Sequence, residues 1–223
     1  MAAEDTDGPI RAAEERLADR LAAQQARSMP TVRARAIAAL SEFGAIDRAV
    51  YRAVAETPTP TLDPGMRRLS TAADRSKLWL GAAGVLAAVG GRQGRRAAAS
   101  GVMALAVDSA VVNLGFKQAA RRSRPDPVSA HVPADRQVRM PHSASFPSGH
   151  AASAFAFANA VGQTLPTVAA PLRLLACAVG YSRVHTGVHY PGDVVIGAVI
   201  GASVGELVGW GAARLRASRF VSS

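Results

Sequence analysis

The chain has 223 residues, enough for one compact domain and an appendage, and its 26 Lys and Arg against 16 Asp and Glu give a formal net charge of +10. That basicity suits nucleic acid or anionic lipid, but no RNP, helix-turn-helix or zinc-finger pattern occurs, so the expectation is anionic lipid and no nucleic acid. The single Cys177 has no partner for a disulfide and is expected to pack as a small hydrophobe; no Cys-x-x-Cys or His-Glu-x-x-His spacing marks a metal site.

Residues 1–76 are charged and broken by Pro30 and by Thr57-Pro58-Thr59-Pro60-Thr61. From Lys77 onward long stretches are nearly free of charge and rich in Ala, Gly and Val. This predicts an amphipathic helical region over 1–76 and a helical bundle over 77–223. Residues 1–7 are acidic and lead into no apolar stretch of the secretory-signal kind. The first predicted helix, 9–28, carries Ile10, Leu17 and Leu21 on one stripe. The second, 32–56, repeats Leu40, Phe43, Ile46, Val50 and Val54, with Asp47, Arg48 and Arg52 opposite. Such faces fit a membrane surface, a second copy of the chain (a homo-oligomer through these helices) or the rest of the protein. A short third helix is predicted from Asp63 as N-cap, with Pro64 in its first position.

Five apolar helices follow, over 78–91, 97–116, 148–165, 168–181 and 194–213. Only the second and the fifth reach 20 residues, about 30 Å of helix, enough to span a hydrocarbon core. The long helices are apolar all round, with Gly and Ala interspersed as close packing in a membrane allows. Trp79 and Trp210 stand at segment ends, where interfacial anchors belong. An integral membrane protein is therefore expected, with Asp108 and Glu206 facing the bundle interior.

Three short blocks of chemistry punctuate these helices. Lys117-(six residues)-Arg124-Pro125 closes the second apolar helix. A helix continuing to Ser123 would align Lys117, Arg121 and Arg124 on one face before Pro125 stops it. Arg121 and Arg122 are read as neutralising the helix dipole or lipid headgroups. Lys117 and Arg124 could do the same or could grip an anion, the first as a point charge and the second as a fork. Pro147-Ser148-Gly149-His150 opens the third apolar helix. Ser148 is the expected N-cap, the free N–H groups of Gly149 and His150 make an anion site, and His150 can hand a proton to a leaving alkoxide near neutral pH.

Ser182-Arg183-(five residues)-His189-(three residues)-Asp193 joins the fourth and fifth helices. Pro191-Gly192 argues against a continuous helix there, so Asp193 is expected to cap the fifth helix. From that place its carboxylate can accept the Nδ1–H of His189 and leave Nε2 free to attack; taken alone, the same pair also suits a structural hydrogen bond. Alternation of the helices brings all three blocks to one face. His131, His142 and His185 fit no block position, and His185, inside the third block, is placed at the mouth of the pocket.

The blocks fix eleven identities in order within 77 positions, and they resemble the signature motifs of the type 2 phosphatidic acid phosphatase (PAP2) superfamily. Lipid phosphate phosphatases, polyprenyl-pyrophosphate phosphatases, bacterial class A acid phosphatases and vanadium haloperoxidases share those motifs. The resemblance implies an all-α membrane bundle of the lipid phosphatase branch, acting on a polyprenyl phosphate derivative or a phosphatidic-acid-like monoester. It further implies a phosphohistidine on His189, oriented by Asp193, with His150 as general acid and then base. Lys117, Arg124 and Arg183, with Ser148 and Gly149, would surround the phosphate oxygens, with no metal and no cofactor. A soluble acid phosphatase of the same superfamily stays open. A vanadate-dependent peroxidase is disfavoured by the short chain, and a non-catalytic lipid-binding assembly subunit by the retention of both histidines and Asp193. Basic residues outside the blocks divide eight to seven between the two membrane faces, and the charged N-terminal region without a signal tilts the expectation towards a cytoplasmic active site.

Overall fold

The computed structural model describes residues 31–120 and 122–221. The helix expected over 9–28 and the side chain of Arg121 lie outside the described residues. The chain forms two compact units, Met1–Ile46 and Asp47–Ser223. The compositional boundary at 76/77 falls inside the second. In the first unit, α1 (Val32–Glu56) begins and exposes Leu40, Phe43 and Ile46.

Within the second unit, the last turns of α1 bury Tyr51 and Ala55 against Val132 and Val184. Helix α2 (Asp63–Ala72) has Leu62 rather than Asp63 at its N-cap, with no side-chain cap. The Asp63 carboxylate is taken up elsewhere: it accepts from Thr59 Oγ1 at 2.7 Å and from His185 Nε2 at 2.9 Å, and pairs with Arg136 Nε at 2.9 Å. A single 3₁₀ turn, Asp74–Ser76, then carries Arg75 and Ser76 at φ of 54° and 58°, left-handed conformations that non-glycine residues rarely adopt.

All five apolar helices form: α3 (Lys77–Val89), α4 (Gly91–Ala110), α5 (Gly149–Thr164), α6 (Pro166–His185) and α7 (Pro191–Val221). Among the described residues there is no strand, as the all-α expectation required. Helix α4 runs on through a π-helical stretch, Val111–Phe116, and ends at Ala119, short of the expected Ser123. Ala120 leaves helical geometry (φ −111°, ψ 83°), and the chain beyond it is drawn off by contacts that Arg122 makes with distant carboxylates, described below.

Helix α5 lies at the centre, with Ala151, Ala152, Ala154, Ala156, Phe157 and Val161 all buried. Its alanines meet a glycine stripe on α7. A Cβ at Gly197 or Gly205 would come within 2.5 Å of the Ser148 or Ala156 carbonyl, and one at Gly201 would collide with the Ala152 carbonyl. Lipid is as apolar as a side chain, so burial alone does not hold membrane helices together and close van der Waals packing must. The stripe also sets the register of the two helix starts, since the Ser148 N–H donates to the Asp193 carbonyl at 2.9 Å.

Three placements differ from expectation. Trp79 is no interfacial anchor: it is fully buried, with its ring 5.5 Å from that of Phe157. Trp210 is exposed and stacks under the Arg214 guanidinium. Asp108 is buried, but Glu206 is exposed and bonds Gln163, because Gln163 and Arg173 reach it from the adjoining helices. Cys177 is exposed rather than packed. Val107 and Leu114 of α4, and Val199 and Leu207 of α7, also face outward. Gly91–Ala119 and Pro191–Leu215 are both long and apolar enough to cross a membrane.

Candidate active site

The ends of α4 and α6 and the starts of α5 and α7 meet on one face of the bundle, together with the turn before α3. His189 follows α6 and is almost wholly buried. Its backbone N–H, like that of Val188, donates to the Arg183 carbonyl. Its Nε2 lies 3.1 Å from Nη1 of Arg124. A guanidinium can only donate, so Nε2 is the acceptor and the ring proton sits on Nδ1. That nitrogen faces Oδ2 of Asp193 and the hydroxyl of Ser145, each at 3.5 Å.

Asp193 is the third residue of α7, and its Oδ2 reaches back to the N–H of Tyr190 at 3.0 Å, so it closes the helix start from inside rather than standing before it. The same oxygen accepts from Ser145 Oγ, and Oδ1 accepts from Arg122 Nη1 at 2.9 Å. Burial pushes the His189 imidazole down to about 3; the Asp193 carboxylate opposes this, and Arg124 and Arg183 add to the fall. His189 is therefore neutral at pH 7, with its Nε2 lone pair turned to the Arg124 guanidinium.

The cations stand around it. Arg124 is held by the Ser143 carbonyl at Nε (2.9 Å) and by the Val188 carbonyl at Nη1 (2.9 Å), and its Nη2 reaches Ser143 Oγ at 3.2 Å. Lys117 Nζ donates to the same Ser143 hydroxyl at 3.4 Å and comes so near Gly149 that a Cβ there would lie 3.7 Å from it. Arg183 is buried, with Nη1 bonded to Ser70 Oγ and 3.8 Å from Asp74 Oδ1. Ser148 caps α5 weakly, accepting from the Ala151 N–H at 3.5 Å. The N–H groups of Gly149 and His150 fall in the first helical turn, where no intrahelical carbonyl serves them.

His150 Nε2 bonds Asp74 Oδ1 at 2.8 Å. That hydrogen bond, against some desolvation and with help from Arg183 and Lys77, holds the Asp74 carboxyl below its usual range. A cavity of about 310 Å³ opens beside His150, Lys117 and Gly149 and continues along α4 to Asp108. Among the described residues no group of three or more His, Cys, Asp and Glu is arranged to hold a metal ion.

The structure thus brings Lys117, Arg124, Ser148, Gly149, His150, Arg183, His189 and Asp193 to one place. Two further expectations are corrected. Arg122 does not neutralise a helix end: it bridges Asp193 and Asp47 (2.9 and 2.6 Å) and stacks on Tyr190 at 4.2 Å. His185 does not line the pocket mouth, because Asp63 holds it in the interior. Sequence reasoning missed Asp74, Ser70, Asp47, Ser143 and Ser145. The run Ser143-Ala144-Ser145, directly ahead of the second block, was a usable signal. Nothing local marked Asp74, which lies 76 residues from His150.

The sequence model of the PAP2 superfamily matches residues 97–215. The chain is 41% identical over 140 residues to the decaprenylphosphoryl-5-phosphoribose phosphatase of Mycolicibacterium smegmatis, covering 62% of this chain and 72% of that one. Against the protein of the same name from Mycobacterium tuberculosis (strain ATCC 25618 / H37Rv) it is 41% identical over 97 residues, 42% of this chain, and spans about half (49%) of that relative's length. The transmembrane PAP2-type phosphatidylglycerolphosphate phosphatase of Bacillus subtilis shares the fold, with a TM-score of 0.59 at 24% identity over 75% of this chain and 84% of that one. The matched segment contains all three blocks from Lys117 to Asp193, and the chain belongs to the PAP2 superfamily.

Proposed function

We propose that this protein is an integral membrane phosphatase that removes a terminal phosphate from a lipid-linked substrate through a phosphohistidine on His189. The observation that carries this reading is the His189 ring itself: Nε2 faces the Arg124 guanidinium while Nδ1 faces Asp193. Lys117, Arg124, Arg183 and the amides that open α5 hold the phosphate oxygens and stabilise the charge that spreads over them. Nε2 attacks phosphorus, the ester bond breaks, and the leaving alkoxide takes a proton from His150. Water then gives its proton to His150 and attacks phosphorus, and the P–N bond breaks to release phosphate and free His189. The apolar outer faces of α4 and α7 would sit in the bilayer with the lipid tail beside them. The names of its relatives favour a polyprenyl-linked phosphosugar as the substrate class.

The test is phosphate release by the detergent-purified protein, in EDTA, from decaprenylphosphoryl-5-phosphoribose and from phosphatidic acid, with trapping of radiolabelled phosphate. Cationic side chains supply the charge, so turnover should survive the chelator. An acid-labile, base-stable label should form on His189, and His189→Gln should remove both label and turnover while the protein stays folded. A label on another residue, or activity that chelation abolishes and magnesium or zinc restores, overturns the mechanism.

A further inference from the structure

Asp108 is 1% exposed, yet only one of its oxygens is engaged: Oδ2 accepts from Ser153 Oγ at 3.0 Å, and Oδ1 has no hydrogen-bond partner among the described residues. Leaving a buried carboxylate oxygen unpaired is costly. The residue forms part of the wall of the 310 Å³ cavity that also reaches Lys117, Gly149 and His150. Whatever fills this cavity therefore adjoins the phosphate that those residues would hold.

We infer that this cavity is a hydroxyl-binding subsite, with Asp108 as the acceptor, for a neutral sugar or polyol attached to the scissile phosphate. This rests on the phosphatase reading above and assigns a place and an acceptor residue to the group that carries the phosphate. Three properties select the ligand. Beside Ala73 and Val112, the remaining wall offers Ser76, Ser109, Asn113 and Ser153, donors and acceptors suited to hydroxyls. A cationic headgroup would meet Lys117 and Arg75 in the same cavity. The volume lies at the low end of small-molecule pockets, roughly 300–1,000 Å³, room for a sugar beside its phosphate. The apolar side of α4, with Val107 and Leu114 outward, leaves the tail a separate place.

Ribose 5-phosphate and n-pentyl phosphate carry the same phosphomonoester on a primary carbon and differ in ring and hydroxyl groups. Their binding to the full chain in detergent can be measured calorimetrically, without turnover. Ribose 5-phosphate should bind at least about tenfold more tightly, the scale of one or two hydrogen bonds. Asp108→Asn should bring that ratio towards one while moving pentyl phosphate by no more than about threefold, since only hydroxyl contacts depend on the carboxylate. Equal weakening of both ligands would make Asp108 a counter-charge for Lys117 and sink the proposal. So would a ratio near one in the unaltered protein, which decides the matter even if the variant does not fold. Failure to release phosphate from any lipid would defeat the phosphatase reading instead, and the binding ratio would still report on the subsite.

Discussion

His189 and Asp193 meet at the buried base of the site, while His150 and Asp74 meet at its open side. The Asp193 carboxylate is fully buried and is shared by Ser145, Tyr190, Arg122 and His189, on the first turn of a long helix. Asp74 is half-exposed and sits on a single 3₁₀ turn next to two left-handed residues. One pair is enclosed on all sides, and the other is open to solvent on one side. That division suits the proposed chemistry. A nucleophile must keep one tautomer and one direction, whereas a general acid must leave its resting partner to meet a leaving group. Strain beside Asp74 fits a turn maintained for a purpose other than stability.

The sharpest way to break this contrast is Asp193→Asn. An amide cannot accept the Nδ1–H in the same way and favours the wrong tautomer, so kcat should fall by about 10³–10⁴. Arg122 loses a charged acceptor in the same variant, and thermal unfolding in detergent should register a loss of about 1–3 kcal/mol. A kcat within tenfold of the parent would mean that Asp193 is a helix clasp and no more.

The more exposed pair should respond less. His150→Gln should cost about 10²–10⁴ in rate, most with poor leaving groups. Asp74→Asn should cost less than that and shift the basic limb of the kcat/KM profile to lower pH, because the carboxylate no longer favours the protonated ring. If Asp74→Asn is as damaging as His150→Gln and the profile does not move, Asp74 acts by holding Arg183 instead.

The smallest effect is on stability against pH. The folded protein refuses a proton on His189 until about pH 3, whereas the unfolded chain accepts one near pH 6.5. The contribution of neutral His189 is thus fully present above about 6.5 and is lost as pH falls towards 3, with a slope of up to about 1.4 kcal/mol per pH unit. Unfolding midpoints measured across that window should decline more steeply for the parent than for His189→Gln. Parallel declines would place the acid sensitivity elsewhere.

The same contrast divides what could be read from the chain. His189 and Asp193 are four residues apart, and the intervening Pro191-Gly192 leaves them few arrangements other than facing one another. The capping role of Ser148 follows equally from its neighbours. Apolar length located all five helices of the bundle, because an uncharged run of that length has few other ways to satisfy its backbone. Interior and exterior were harder. Position in a segment suggests an interfacial Trp79 and an inward Glu206, but which side of a helix is buried depends on neighbours that the segment does not contain. The end of α4 was misjudged for a related reason: local propensity permits helix to Ser123, and the carboxylates of Asp47 and Asp193 draw Arg122 away.

The sequence by itself determined the helical class, the three motif blocks and their convergence on one face, since each follows from contacts within a few residues or from alternation of helix direction. Tertiary structure alone decided that Asp74 answers His150, that Arg122 clamps Asp193, that Ser70 holds Arg183 and that Asp108 looks onto a cavity. Those partners are separated by many tens of residues along the chain. Only the depth to which the glycines of α7 admit α5, and the packing of the other helices around that pair, bring them within reach of a hydrogen bond.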